Sequence, residues 1–167
     1  ELARAIAAGT HRLYRFVGKA PAGNGRLHVS STRFDEPWLR TVLNGARAAI
    51  SIHGCGSDEE ALTLIGGSNR PLAAAIRARL EKAGFAVMEA PAQPAGVDPD
   101  NIFNRVPEGA VWLELTRRLR EDLRSGRLRK SQLQRYARAI REALAEYDGA
   151  IASAFERSPA QTPSSAA

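Results

Sequence analysis

Cysteine is almost missing from this sequence, since Cys55 is the only one among 167 residues. An internal disulfide is therefore excluded, and so is a metal or redox site built on a CxxC pair. Long apolar runs are missing too: none approaches 18 residues, and no basic-then-apolar stretch of the signal-peptide kind is present. With hydrophobic residues at 44% and charged residues at 25%, the composition predicts a globular, soluble chain without a membrane span.

Lysine is also scarce, so arginine carries most of the positive charge. Lys+Arg number 24 against 18 Asp+Glu, which gives a formal charge of +6. This balance permits an anionic partner. A GC-rich coding bias towards arginine gives the same composition without any partner, and it is the interpretation we favour.

The segment 117–141 concentrates this charge. Its basic residues are Arg117, Arg118, Arg120, Arg124, Arg127, Arg129, Lys130, Arg135, Arg138 and Arg141. Such a segment can bind nucleic acid through the phosphates. However, no aromatic residue is interleaved before Tyr136 and no nucleic-acid-reading motif appears, so a solvated helix face is the simpler interpretation.

Short apolar, β-branched runs alternate with amphipathic segments along most of the chain. Strands are predicted at 11–17, 27–30, 48–52, 61–65, 85–88 and 110–116. Helices are predicted at 1–8, 36–47, from the turn at 66–69 to Gly84, at 117–125 and at 131–157. This alternation predicts an α/β domain over 1–157 with a mixed central sheet flanked by helices, followed by a disordered tail at 158–167.

Two side chains fall at or near the carboxyl ends of predicted strands, where sites gather in such folds. His53 ends an apolar run and precedes Gly54; it is either a metal-binding imidazole, for which zinc is the usual metal, or a structural histidine. Glu114 shares one strand face with Trp112, and it is either a solvated carboxylate on an edge strand or a general base beside a metal-bound water.

Two arginines occupy loops that follow a strand and a proline-rich loop. Arg33 and Arg105 have the geometry to bind carboxylates through paired hydrogen bonds. Either can instead pair with an internal acid such as Asp35, which is the usual fate of a loop arginine. His11 and His28 have no partner at metal-ligand spacing, and we interpret both as structural.

Five motifs, taken in order, resemble the poly-γ-glutamate hydrolase family. They are LHVSSTRFDEP at 27–37, SIHGC at 51–55, GGSN at 66–69, NIFNR at 101–105 and LEL at 113–115. The resemblance covers about residues 1 to 125. It implies a zinc-carboxypeptidase-like (phosphorylase/hydrolase-like) architecture and zinc-dependent hydrolysis of γ-glutamyl amide bonds in poly-γ-glutamate. By the same resemblance, His53 is a zinc ligand, Glu114 is the catalytic residue, and Arg33 and Arg105 bind substrate carboxylates.

The family's other two zinc ligands lie in an HGGxIExGT-like stretch that precedes the helix matched by ELARAIA at 1–7. We therefore expect a domain that is incomplete at its N-terminus and lacks two zinc ligands, from a cytoplasmic or phage-encoded protein, with secretion left open. Two other interpretations stand beside the hydrolase. One is a nucleic-acid-binding or phage replication-associated protein that uses its basic C-terminal helices, and the other is a domain that has lost catalysis.

Overall fold

The computed structural model describes residues 1–19, 21–56, 59–91, 94–124 and 129–156, which form four strands and six α-helices. The strands are β1 (Ala49–Gly54), β2 (Leu62–Gly67), β3 (Ala86–Glu89) and β4 (Ala110–Leu115). The helices are α1 (Leu2–Ala7), α2 (Pro37–Leu43), α3 (Arg70–Lys82), α4 (Pro94–Val97), α5 (Arg117–Arg124) and α6 (Arg129–Glu156). Short 3-10 turns occupy Asn24–Leu27 and Ile102–Arg105.

The four strands form one mixed sheet in the order β1-β4-β2-β3. β4 lies between β1, to which it runs parallel, and β2, to which it runs antiparallel, while β2 and β3 are parallel. The predicted α/β class and mixed sheet are therefore confirmed. β1 is an edge strand, and its carboxyl end lies beside the carboxyl end of β4.

One face of the sheet carries the hydrophobic core. Along β4, Val111, Leu113 and Leu115 are buried against helices, whereas the residues between them face the other way. Helices α1, α3, α5 and α6 cover this core face, and α6 supplies the fully buried Tyr136 and Ile140. No helix of the described ranges is both long and apolar enough to cross a bilayer.

Local capping signals set two helix starts as the sequence predicts. Pro37 occupies the first turn of α2, and Asn69 accepts a hydrogen bond from the Leu72 amide at 3.0 Å to cap α3. The prediction of a helix over 36–47 is wrong at its C-terminal end. The helix ends at Leu43 because the next residues turn extended and then left-handed, and Arg12 donates to the Val42 carbonyl at 3.2 Å.

Both strands predicted near the N-terminus, at 11–17 and 27–30, are wrong. Their alternation is real, but neither segment pairs with a strand in the described residues. Instead, Tyr14 and Phe16 contact Phe34 edge-on, with ring centroids 6.2 and 5.4 Å apart, so ring packing replaces ladder pairing. The loop predicted at 90–100 contains the single turn α4, and the predicted tail at 158–167 lies outside the described residues.

Candidate functional site

His53 and Glu114 lie directly opposite each other in adjacent strands. They are register partners in the parallel pair of β1 and β4, whose backbones run about 4.8 Å apart. Partners in register project from the same face, and here it is the face opposite the helical core. Two residues that are 61 positions apart in the sequence are therefore neighbours in the sheet, as the site prediction requires.

A groove of about 990 Å³ runs along the β1 side of the sheet and reaches both of its faces, and His53 and Glu114 are among the residues that line it. Its wall near His53 is aromatic: Phe103 and Trp112 lie with ring centroids 6.5 and 6.2 Å from the imidazole. His28 also lines the groove. Aromatic walls restrict water beside a polar pair, which strengthens electrostatic interactions at that point.

His53 is held from its own strand. Ser51, two residues earlier on the same strand face, makes a side-chain hydrogen bond to Nε2. Burial lowers the pKa of His53, and the neighbouring charge of His28 lowers it further. The ring is thus favoured in its neutral form, which is the form that binds metals, and Nδ1 is the nitrogen available to a further ligand.

Glu114 is a partly buried carboxylate, and one of its two oxygens makes no hydrogen bond to the described residues. Its Oε2 is buried and has no hydrogen-bond partner in the part of the chain that the structure describes, which is costly for an ionised group. Burial raises the pKa of Glu114, against the opposing charges of Arg120 and His28. The arrangement gives a carboxylate with raised proton affinity and an unused acceptor, beside an imidazole.

Arg33 and Arg105 are exposed and are not among the described residues that line the groove. Their loops nevertheless touch, because the Ile102 amide donates to the Ser31 carbonyl at 3.3 Å. The structure therefore brings the two arginine-bearing loops together beside the site without placing either guanidinium in it. Their role with substrate stays a prediction.

Whether this site can bind zinc depends on how many metal ligands its side chains supply. A hydrolytic zinc site has three protein ligands and an open position. Within the described ranges no group of three His, Cys, Asp or Glu side chains is placed to hold a metal ion. His53 fits as one ligand, but the described residues alone do not make a complete zinc site.

Some residues of the basic segment make contacts within the fold, although most of those that the structure describes are exposed. Arg141 donates to the Ala5 carbonyl, Arg135 lies 5.1 Å from the centre of the Phe85 ring, and Arg118 lies 3.5 Å from Asp122. Arg127 lies outside the described residues. The interpretation of the segment as a solvated helix face stays a prediction.

Sequence reasoning missed three members of the site. Ser51 was detectable, since a strand places residues two apart on one face. His28 lies close enough for its charge to affect both His53 and Glu114, but it has no partner at metal-ligand spacing in the sequence. Arg120 was assigned to a solvated helix face, and only the position of α5 against β1 reveals it.

Curated proteins of Bacillus subtilis are similar in sequence to this chain. The UPF0714 protein YndL of Bacillus subtilis (strain 168) is 35% identical over 126 residues, covering 74% of this chain and 49% of its own length. The SPbeta prophage-derived UPF0714 protein YoqZ of the same organism is also 35% identical over 126 residues, covering 74% of this chain and 45% of its own. The chain thus spans about half the length of these curated relatives.

Two solved structures share the fold. The structure of a bacteriophage poly-γ-glutamate hydrolase matches with a TM-score of 0.80 and 36% identity, over 89% of this chain and 77% of that one. The zinc-free apo structure of YndL matches with a TM-score of 0.69 and 28% identity, over 78% of this chain and 69% of that one. A family model described as poly-γ-glutamate hydrolase matches residues 1–147. The chain belongs to the poly-γ-glutamate hydrolase family.

Proposed function

We propose that this chain carries part of the catalytic centre of a zinc-dependent enzyme that hydrolyses γ-glutamyl amide bonds in poly-γ-glutamate. In this proposal His53 is one zinc ligand and Glu114 is the general base. The observation that carries it is the register of β1 and β4, which sets the imidazole directly opposite a partly buried carboxylate whose Oε2 has no partner among the described residues. Family membership supports the substrate class.

The reaction needs a base at the position of Glu114. The oxygen of a water molecule adds to the γ-carbonyl carbon while one of its protons passes to Oε2 of Glu114. That proton then moves to the amide nitrogen as the carbon–nitrogen bond breaks, which leaves a carboxylic acid and an amine. The raised pKa of Glu114 suits both steps, because a base that must return its proton works best near the operating pH.

Zinc, when bound in hydrolases of this type, polarises the carbonyl and makes its water more acidic. The zinc-free state named for the YndL structure supports a metal in the family. The part that His53 plays is to present a neutral nitrogen at a fixed angle, since Ser51 holds the ring. The remaining ligands are not supplied by the described residues.

The polymer is a polyanion, with one free carboxylate on each residue. A chain with a formal charge of +6 attracts such a substrate over distance. We propose that Arg33 and Arg105 bind its carboxylates outside the groove, since both are exposed on touching loops. We also propose a cytoplasmic or phage-encoded protein, for which the similarity to prophage-derived YoqZ is the support.

Zinc content tests the ligand assignment. In the longest form of the protein that its gene encodes, we expect His53→Ala to weaken zinc binding at least about 100-fold and to abolish release of γ-glutamyl oligomers. Glu81→Ala is the control, because Glu81 is exposed on α3 and does not line the groove. The present chain alone should bind zinc weakly, since a lone imidazole supplies a single ligand. Equal zinc binding by the two variants would remove His53 from the ligand set.

A further inference from the structure

Arg120 joins the helical layer to the carboxyl end of β1. The helix α5 follows β4 directly, and its Leu119 and Leu123 are buried in the core. Arg120, half-buried beside them, donates from Nη2 to the Cys55 carbonyl at 2.9 Å. The Cys55 amide in turn donates to the Leu115 carbonyl at 3.0 Å. Hydrogen bonds therefore hold both the backbone N–H and the backbone carbonyl of Cys55, two places after His53.

The guanidinium also lies across Gly54. A Cβ built on Gly54 would fall 2.5–2.8 Å from three atoms of the Arg120 guanidinium, so no larger residue fits without moving it. Gly54 neighbours His53 and is the last residue of β1 in register with β4. Arg120 thus holds the strand by a hydrogen bond at Cys55 and by contact at Gly54.

The stability of the fold does not explain why an arginine occupies this position. Among the residues that the structure describes, the buried Nε of Arg120 has no hydrogen-bond partner. A buried donor without a partner destabilises the fold, whereas an apolar side chain of similar length would fill the same space without that cost. The guanidinium is explained by what it holds rather than by the burial it provides.

We propose that Arg120 is a positioning residue, which holds the Gly54–Cys55 end of β1 so that the His53 imidazole stays opposite the Glu114 carboxylate. The importance of this role rests on the proposed function, because only a hydrolytic site needs that alignment. The geometric part can be tested without any activity. Cys55, the sole thiol and half-buried, is a native reporter of the segment that Arg120 holds.

The first test is the rate at which a thiol reagent modifies Cys55 under native conditions. We expect Arg120→Met to raise this rate roughly tenfold or more, because the segment loses a hydrogen bond from a charged donor. The ring signals of His53 should shift in the same variant. Arg124→Met is the matched control, since Arg124 is exposed on the same helix, and it should change neither reading. Equal changes in the two variants, or none in Arg120→Met, would overturn the proposal.

Chemical rescue separates positioning from a general loss of stability. In Arg120→Ala, millimolar guanidinium should slow Cys55 modification and return the His53 signals towards their wild-type positions. Urea has a similar shape but no charge, and it should not do so. Failure of guanidinium to restore either reading, or equal restoration by urea, would contradict the proposal.

A double-mutant cycle tests the contact at Gly54. Gly54→Ala should speed Cys55 modification in the wild-type background, because the new methyl group displaces the guanidinium. The same substitution should have a much smaller effect in Arg120→Ala, where the space is empty. Equal effects in both backgrounds would show that the contact is absent.

None of these measurements requires hydrolysis. A protein that fails to cleave poly-γ-glutamate would therefore contradict the proposed function, while the rate of Cys55 modification would still decide the role of Arg120.

Discussion

Tyr136 should make the stability of this fold depend steeply on alkaline pH. Its side chain is fully buried, packs edge-on against Phe85 at 4.9 Å and shares a 2.8 Å hydrogen bond with the hydroxyl of Thr63. Burial raises the pKa of Tyr136 to about 12, against the smaller opposing effect of the Thr63 hydrogen bond. The folded state therefore holds this proton more tightly than the unfolded state does. The stability this provides is complete below pH 10 and is lost as pH rises through 12.

The magnitude follows from the two pKa values. With about 10 in the unfolded chain and about 12 in the fold, the loss is roughly 1.4 kcal/mol by pH 11. Tyr136→Phe should be less stable than wild type at pH 8 by about 1–3 kcal/mol, because the Thr63 hydroxyl loses its buried partner. The gap should narrow by the calculated amount at pH 11.

Urea unfolding of both proteins at pH 8, 10 and 11 measures this difference. Ionisation of the other tyrosines occurs in both proteins and cancels in the comparison. Thr63→Val in the Tyr136→Phe background is the control, and it should recover part of the loss because neither buried partner is then left unpaired. A gap that stays constant from pH 8 to pH 11 would refute the argument that burial of Tyr136 drives the dependence.

Two further predictions concern the sheet and the site. Gly67→Ala should lower the free energy of unfolding by about 3 kcal/mol or more, because Gly67 has φ 110° and a Cβ there would meet the Ala110 carbonyl. Gly56→Ala is the control, since a Cβ on Gly56 meets nothing within 4 Å. It should change the free energy of unfolding by less than about 0.5 kcal/mol. Ser51→Ala should leave the fold intact but broaden the ring signals of His53 and weaken zinc binding roughly 10–100-fold, and unchanged signals would show that Ser51 does not hold the ring.

Local chemistry made several elements predictable. Asn69 caps α3 and Pro37 starts α2 because each signal acts within one turn of its own residue. The helix α6 was predictable because the apolar residues Tyr136 and Ile140 recur on one face, which is buried from Tyr136 to Ala143. In β4, simple alternation separated the core face from the face that carries Glu114.

Pairing was not predictable in the same way. The segments 11–17 and 27–30 alternate as strands do, but a strand exists only where another strand accepts its hydrogen bonds. Contacts between Tyr14, Phe16 and Phe34 took that place, and no local pattern announces them. The end of α2 was missed because Arg12, a distant residue, binds the carbonyls there.

The candidate site, too, could be predicted from the sequence only in part. His53 and Glu114 were identified as strand-end residues, but their alignment depends on the register of β1 and β4, which sequence alone does not specify. Arg120 was the hardest to find because its contacts arise from the path of the chain after β4. Its partner atoms belong to Gly54 and Cys55, more than sixty residues earlier.

The most direct test of the account is the hydrolysis of poly-γ-glutamate by Glu114→Gln, measured as the release of γ-glutamyl oligomers from the zinc-loaded protein in the longest form its gene encodes. The substitution keeps the size of the side chain and removes its ability to take a proton. Glu81→Gln, at an exposed glutamate of α3, is the matched control. We expect kcat to fall at least about 100-fold in Glu114→Gln with zinc content unchanged, and no loss in the control. A Glu114→Gln protein that holds zinc and keeps wild-type kcat would contradict the central claim that this carboxylate is the base.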